Sequence, residues 1–272
     1  MRRPWIAGRN VVLAFSVLWG VIEPALALLT GEVARPGWDR FLPLVVVAVA
    51  VGAVLTAEPA SVKIRIPGSR TEVEIAVGDL FESPHHKVIP VNEYFDAELG
   101  DLVAPNSVHG QCIRRLFGGD SNRFAATVDE ALKGKSCHAV PHKRGRTNCY
   151  ALGTVAVVDY SDHRLFLVAV AHTDTDTLQA SSAVEELWTS LMSLWQSVRK
   201  GCNAQPVAMP LVGGGLARIG LPSSGIASLI LLSLFQETRA NKLVTERVLI
   251  LVPESVFREL SLRELVPEWS GQ

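Results

Sequence analysis

The stretch LVGGGLARIG, residues 211–220, decides how this chain is read. It leaves an apolar segment, residues 206–212, that reads as a buried strand, and it enters a helical segment, residues 223–240, opened by Pro222 and Ser223. A strand, a glycine-rich turn and a helix in that order belong to a largely parallel sheet. Adjacent glycines let backbone N–H groups close around phosphate oxygens, aided by the positive end of the following helix. A plain strand–helix turn has the same composition, so the stretch alone does not define a ligand site.

The flanking sequence repeats the alternation. Residues 62–66 and 71–77 alternate apolar and polar around Pro67, Gly68 and Ser69, the pattern of a β-hairpin. Residues 87–92 read as a short buried strand, 107–117 and 122–132 as helices, and 150–159 and 164–171 as strands. Residues 181–199 carry Val184, Leu187, Trp188, Leu191, Trp195 and Val198 on one helical stripe. A strand at 247–252 and a helix at 255–262 close the pattern. The expectation is an α/β domain over residues 61–272, with a mixed, largely parallel sheet flanked by helices. Ligands of such sheets bind beyond the carboxyl ends of the strands.

Two further segments fall at such ends. VGDLF, residues 77–81, puts Asp79 after a strand, where a carboxylate can accept a hydrogen bond from an exocyclic amine. VIPVNEYFD, residues 88–96, places Asn92 after a buried strand, and APNSVHGQ, residues 104–111, opens a helix. Polar side chains and backbone donors there suit a ribose and a phosphate; ordinary loops and a helix cap are the plain alternatives.

In combination these motifs resemble a macro domain, and VIPVNEYFD, APNSVHGQ and PLVGGGLARIGLP resemble the transmembrane–macro ThsA proteins of Thoeris anti-phage systems. The resemblance implies an effector, not an enzyme. It would bind a nucleotide messenger containing ADP-ribose, of the histidine–ADP-ribose type, made by a TIR-domain partner, and then damage the membrane and kill the cell or arrest its growth. By that resemblance Asp79, with Leu80, would hold adenine. Gly213, Gly214, Gly215, Leu216 and Ala217 would hold the diphosphate, with Ser107, His109, Gly110 and Gln111 opposite. Asn92, Tyr94 and Phe95 would shape the distal ribose end. No catalytic residue, cofactor or metal is implied. The sequence departs from hydrolytic macro domains: Glu93 and Tyr94 follow Asn92 in place of a paired Asn, and Leu216 follows the triple glycine in place of Gln-Glu-Glu. A membrane-tethered ADP-ribosyl hydrolase is the alternative, and a passive anchor for ADP-ribosylated proteins is a third reading.

Hydrophobic residues make up 48% of the chain and mean hydropathy is +0.25, with the excess concentrated before residue 60. Residues 11–29 are apolar except for Glu23 and Pro24, and residues 41–57 carry no charge. A bilayer core of about 30 Å needs about 17–25 apolar residues as a helix. Residues 1–60 are therefore expected to form a two-helix transmembrane hairpin against membrane lipid. Arg2, Arg3, Arg9, Lys63, Arg65 and Arg70 outside the spans favour both ends in the cytoplasm, against Arg35 and Arg40 in the linker. The expectation is a multi-pass protein of the inner membrane with a cytoplasmic macro domain, acting as a homo-oligomer. A signal peptide ending near Ala25, Leu26 and Ala27 is the rival reading of the first span, and leaves the domain on the same side. Glu23 either lies near a boundary beside Pro24 or faces another helix or an aqueous path.

A net charge of −1 gives no reason to invoke nucleic acid. Cys137, His138, His142 and Cys149 fit no common zinc spacing. His85 and His86 read as exposed loop residues, and Lys143, Arg144 and Arg146 as a solvated basic loop. The acidic stretch at residues 172–176 has no metal-loop pattern.

Overall fold

A computed structural model describes residues 4–30, 38–56, 61–213, 219–241 and 243–260. Gly214, Gly215, Leu216 and Ala217, expected at the site, lie outside the described residues, as does much of the linker between the expected spans. The chain divides into two compact units, Met1–Pro59 and Ala60–Gln272.

The first unit holds two helices, α1 (Pro4–Thr30) and α2 (Trp38–Thr56). Glu23 and Pro24 fall within α1, and Pro24 removes a backbone donor from that helix. The helices meet through small residues. Ala14 and Ala48 are buried, and a Cβ on Gly52 would strike Val11. Phe15 packs edge-on against Phe41 at 5.5 Å and stacks on Trp19 at 5.8 Å. Val12, Val17, Val21, Leu42 and Val46 point away from the pair. Among the described residues no helix is long and apolar enough to cross a membrane. The two helices are in place, whereas their passage through a bilayer rests on the sequence.

In the second unit β1 (Ser61–Arg65) and β2 (Glu72–Val77) form the expected antiparallel hairpin. The sheet continues through β3 (His86–Asn92), β6 (Val155–Tyr160), β7 (His163–Thr173), β9 (Val207–Met209) and β10 (Arg247–Val252). Its order is β1-β2-β10-β9-β3-β7-β6. The five central strands, β2 to β7 in that order, run parallel, and β1 and β6 run antiparallel at the edges. A short strand, β8 (Ala180–Ser181), folds back on the end of β7.

Both faces of this sheet are covered at β7, which is apolar on both sides. On β7, Phe166, Val168 and Val170 enter one core with Leu187, Leu191, Trp195 and Ile230, from helices α5 (Val184–Gly201) and α6 (Ser223–Asn241). Leu165, Leu167 and Ala169 enter the other, with Cys112, Ile113, Phe124 and Val128 from α3 (Val108–Leu116) and α4 (Ser121–Ala131). One buried polar pair bridges the two helices: Trp195 Nε1 donates to Ser233 Oγ at 2.9 Å, which donates to Ile230 O at 2.8 Å. The last described helix is α7 (Glu254–Glu259).

Three expectations are corrected. The segment expected as one strand, 150–159, is two: β5 (Asn148–Tyr150), paired with β4 (Cys137–Ala139), and β6. Gly153, at φ +86°, turns the chain between them. His86 is not in an exposed loop but buried in β3, where Nδ1 accepts from Arg164 N at 2.8 Å. Lys143 is not solvated: its side chain is fully buried against Asp96.

Candidate functional site

The carboxyl ends of β3, β7 and β9 surround a cavity of about 310 Å³. Its wall comes from Asn92 on β3, Ala171 and Thr173 on β7, Pro210, Leu211 and Gly213 after β9, and the loop running from Leu102 into α3. Leu178 and Ala180, at the β7–β8 turn, close one side.

Four expected residues meet here: Asn92, Ser107, His109 and Gly213. Their placement follows from local structure. Ser107 caps α3, accepting from Gly110 N at 2.9 Å while donating to Ala104 O at 2.7 Å. The capped start of α3 lines the same cavity as the Gly213 turn, at φ +90°. Asn92 reaches the wall through a register shift, since Val91 pairs with Ala169 but Asn92 with Ala171. His109 is buried; its ring packs against Phe124 at 5.5 Å and bonds to the Asp96 backbone, while Nε2 has no hydrogen-bond partner among the described residues. Burial pushes its pKa down to about 3.

The other described residues expected at the site stand off the cavity wall. Asp79 caps a short 3₁₀ turn, Leu80–Glu82, accepting from Phe81 N at 2.8 Å, and pairs with Arg115 Nη1 at 2.5 Å. Burial works to raise its pKa, but Arg115 and the Phe81 N–H outweigh that and lower it. Leu80 joins the core beneath α3. Phe95 is fully buried at φ +52°, edge-on to Tyr150. Tyr94 is buried as well, and burial raises its hydroxyl to about 12. Gly110 lies in the first turn of α3, and Gln111 Nε2 donates to Asn106 O at 3.1 Å.

Sequence reasoning missed the apolar side of the cavity, Leu102, Val103, Leu178 and Ala180, and the charged groups behind it. Glu93, buried, accepts from Thr173 N at 3.2 Å and bonds to His172 Nδ1; His172 Nε2 meets Glu186 Oε1 at 2.9 Å. Burial pulls His172 down, but the two carboxylates outweigh it and raise its pKa. The signal for this cluster was Glu93 itself, a charge directly after an apolar strand.

A family model described as "Thoeris protein ThsA, Macro domain" matches residues 73–253. Over 206 residues the chain is 28% identical to a Thoeris protein ThsA of Bacillus amyloliquefaciens (strain Y2), covering 72% of this chain and 67% of that one. Among solved structures, an Oceanobacillus iheyensis macrodomain with ADP aligns at TM-score 0.51 and 16% identity, over 78% of this chain and all (100%) of that one. A glycine variant of it with ADPR aligns at TM-score 0.52 and 16% identity, over 76% and 99%. At that identity the structural likeness shows the fold, a macro domain.

Proposed function

From the premise that the chain belongs to the ThsA macro-domain family of Thoeris proteins, we propose that it is a membrane-anchored defence effector that binds an ADP-ribose-type messenger. The observation that carries this reading is the meeting of the capped N-terminus of α3 and the Gly213 turn on one cavity at the carboxyl ends of parallel strands. A pyrophosphate between them would be held by backbone donors from both sides. Asn92 would hold the distal ribose and Asp79 the adenine, with Arg115 yielding that carboxylate to the base.

The messenger is a conjugate of the histidine–ADP-ribose kind, produced by a TIR-domain partner. The reading is binding and not turnover: among the described wall residues the titratable side chain is His109, whose pKa burial pushes down to about 3.

The effector end is the helical hairpin. Its passage through a bilayer is read from the apolar runs at residues 11–29 and 41–57, which fall on α1 and α2. Their outward valines and leucines would meet lipid in the inner membrane, leaving the macro domain in the cytoplasm. Messenger binding changes self-association of the chain, reorganises the hairpins and disrupts the membrane. Such a shift requires that the messenger bind the active assembly more tightly than the resting one.

The test is calorimetry on the full chain in detergent, with ADP-ribose, histidine–ADP-ribose and cyclic ADP-ribose isomers, followed by analysis of the recovered ligand. The expected result is binding of an intact conjugate, weakened by Asp79→Ala. Consumption of the ligand would replace the sensor by the hydrolase, and absence of binding would remove the site.

A further inference from the structure

Behind the cavity lies a charged pair that ligand recognition does not obviously need. Lys143 and Asp96 are an ion pair with both side chains wholly buried, Nζ lying 2.9 and 2.8 Å from the two carboxylate oxygens. Lys143 also donates to Arg144 O at 2.7 Å and sits 4.2 Å from the Tyr94 ring centre. Burying two charges is costly, and apolar side chains of the same size generally serve stability as well. The pair therefore calls for a role beyond stability.

That role is visible at Asn92. Its Oδ1 accepts from Asp96 N at 3.1 Å, and its Nδ2 donates to Asp96 Oδ2 at 2.8 Å. A carboxylate only accepts, so the amide cannot flip without setting its carbonyl against Asp96 and its NH₂ against a backbone N–H. Asp96 is held in turn by Lys143 and by Arg146 N, at 3.0 Å. The loop that delivers Lys143 is fitted to this contact. Gly145 has φ +83°, and a Cβ there would come within 2.8 Å of Asp96 Oδ1 and 2.5 Å of Leu102 Cδ1.

We infer that Lys143 is a positioning residue: through Asp96 it locks the Asn92 amide so that its remaining N–H, a donor, is what the cavity wall offers the ligand. The group that N–H reads is an acceptor oxygen, such as a ribose hydroxyl or ring oxygen. This role rests on the cavity being the ADP-ribose site.

The experiment is a cycle on the full chain in detergent. Lys143→Met/Asp96→Leu removes both charges together and strands neither. It should keep cooperative thermal unfolding yet bind ADP-ribose about tenfold more weakly, the scale of one buried hydrogen bond. Asn92→Ala should cost a similar factor, and the triple variant no more than Asn92→Ala alone. Parental affinity in the folded double variant, or penalties that add in full, would overturn the role. A separate reading comes from the ligand-free parent: one Asn92 Nδ2 proton should exchange slowly and the other fast, and equal exchange would overturn the lock even if the variants failed to fold. Should the parent not bind ADP-ribose, the site reading fails while this exchange measurement still decides the lock.

Discussion

Gly110 is where the ligand loop and α3 touch most closely. A Cβ there would fall onto the Ala104 carbonyl oxygen and lie 2.9 Å from Pro105 Cα. Neither neighbour is a flexible side chain end, and the Ala104 carbonyl also accepts from Ser107 N and Ser107 Oγ. Gly110→Ala should therefore push the loop off the helix cap, costing about 1–3 kcal/mol as overpacked sites do, and should weaken ADP-ribose binding with it. Gln111→Ala, which loses only the exposed bond to Asn106 O, should cost less than about 1 kcal/mol. Thermal unfolding of the two variants side by side checks this, and equal midpoints would show that the loop yields freely. Residues of this kind were legible as a motif but not as a geometry. APNSVHGQ marked the helix opening, yet nothing in it said that Ser107 and His109 reach the cavity while Gly110 braces the turn. Lys143 was misread outright. A Lys between His142 and Arg144 looks solvated until Asp96, remote in sequence, comes to face it.

Elements with a clear period were read correctly, and the reason is burial. α5 shows its apolar stripe because one face packs on the sheet, and β10 stands at residues 247–252 as expected because both its faces are covered. The β4–β5 hairpin was missed because every residue of β4 is exposed, so no alternation marks it. The fold-back of β8 was equally silent in sequence, and it matters most, since Leu178 and Ala180 on that turn line the cavity. His172 anchors the turn at its base through Glu93 and Glu186. The His172 pKa is raised above its ordinary 6.5, so its contribution is fully present below that value and lost as pH rises through the raised pKa. Glu186, bonded first to Ala183 N and then to His172, is lowered below its ordinary 4.5, so its contribution is lost as pH falls through the lowered value. The anchor is complete between those two ordinary values. Amide protection factors for residues 173–181 should fall as pH is raised above the His172 pKa, and His172→Phe should remove that dependence. A flat profile in the parent would mean that the turn is held by its backbone pairing alone.

At the scale of the whole chain, the proposed function requires that ligand and membrane communicate. The α/β unit at residues 60–272 and the helical unit at residues 1–59 are separately compact, and the sequence distinguished them because hydropathy changes abruptly near residue 60. What it could not carry is coupling, which is a free energy between two sites and not a property of either. That free energy is reciprocal: if messenger binding reorganises the hairpin, the surroundings of the hairpin must alter messenger affinity by the same factor. For the full chain, affinity for the conjugate in lipid nanodiscs should therefore differ from that in detergent, by about 5–150-fold if the coupling is of ordinary size. Gly52→Leu supplies the control from within the hairpin. Gly52 is where α2 meets Val11, so a bulky side chain there should part the helices, shrink the difference between the two media and silence the membrane effect. The cavity lies in the other unit, so binding itself should survive that change. Affinities that match in both media, with membrane leakage still dependent on the messenger, would contradict linkage and point to a separate partner as the toxic agent. Matching affinities without leakage would reduce the hairpin to an anchor, and the macro domain would then act only by what it recruits.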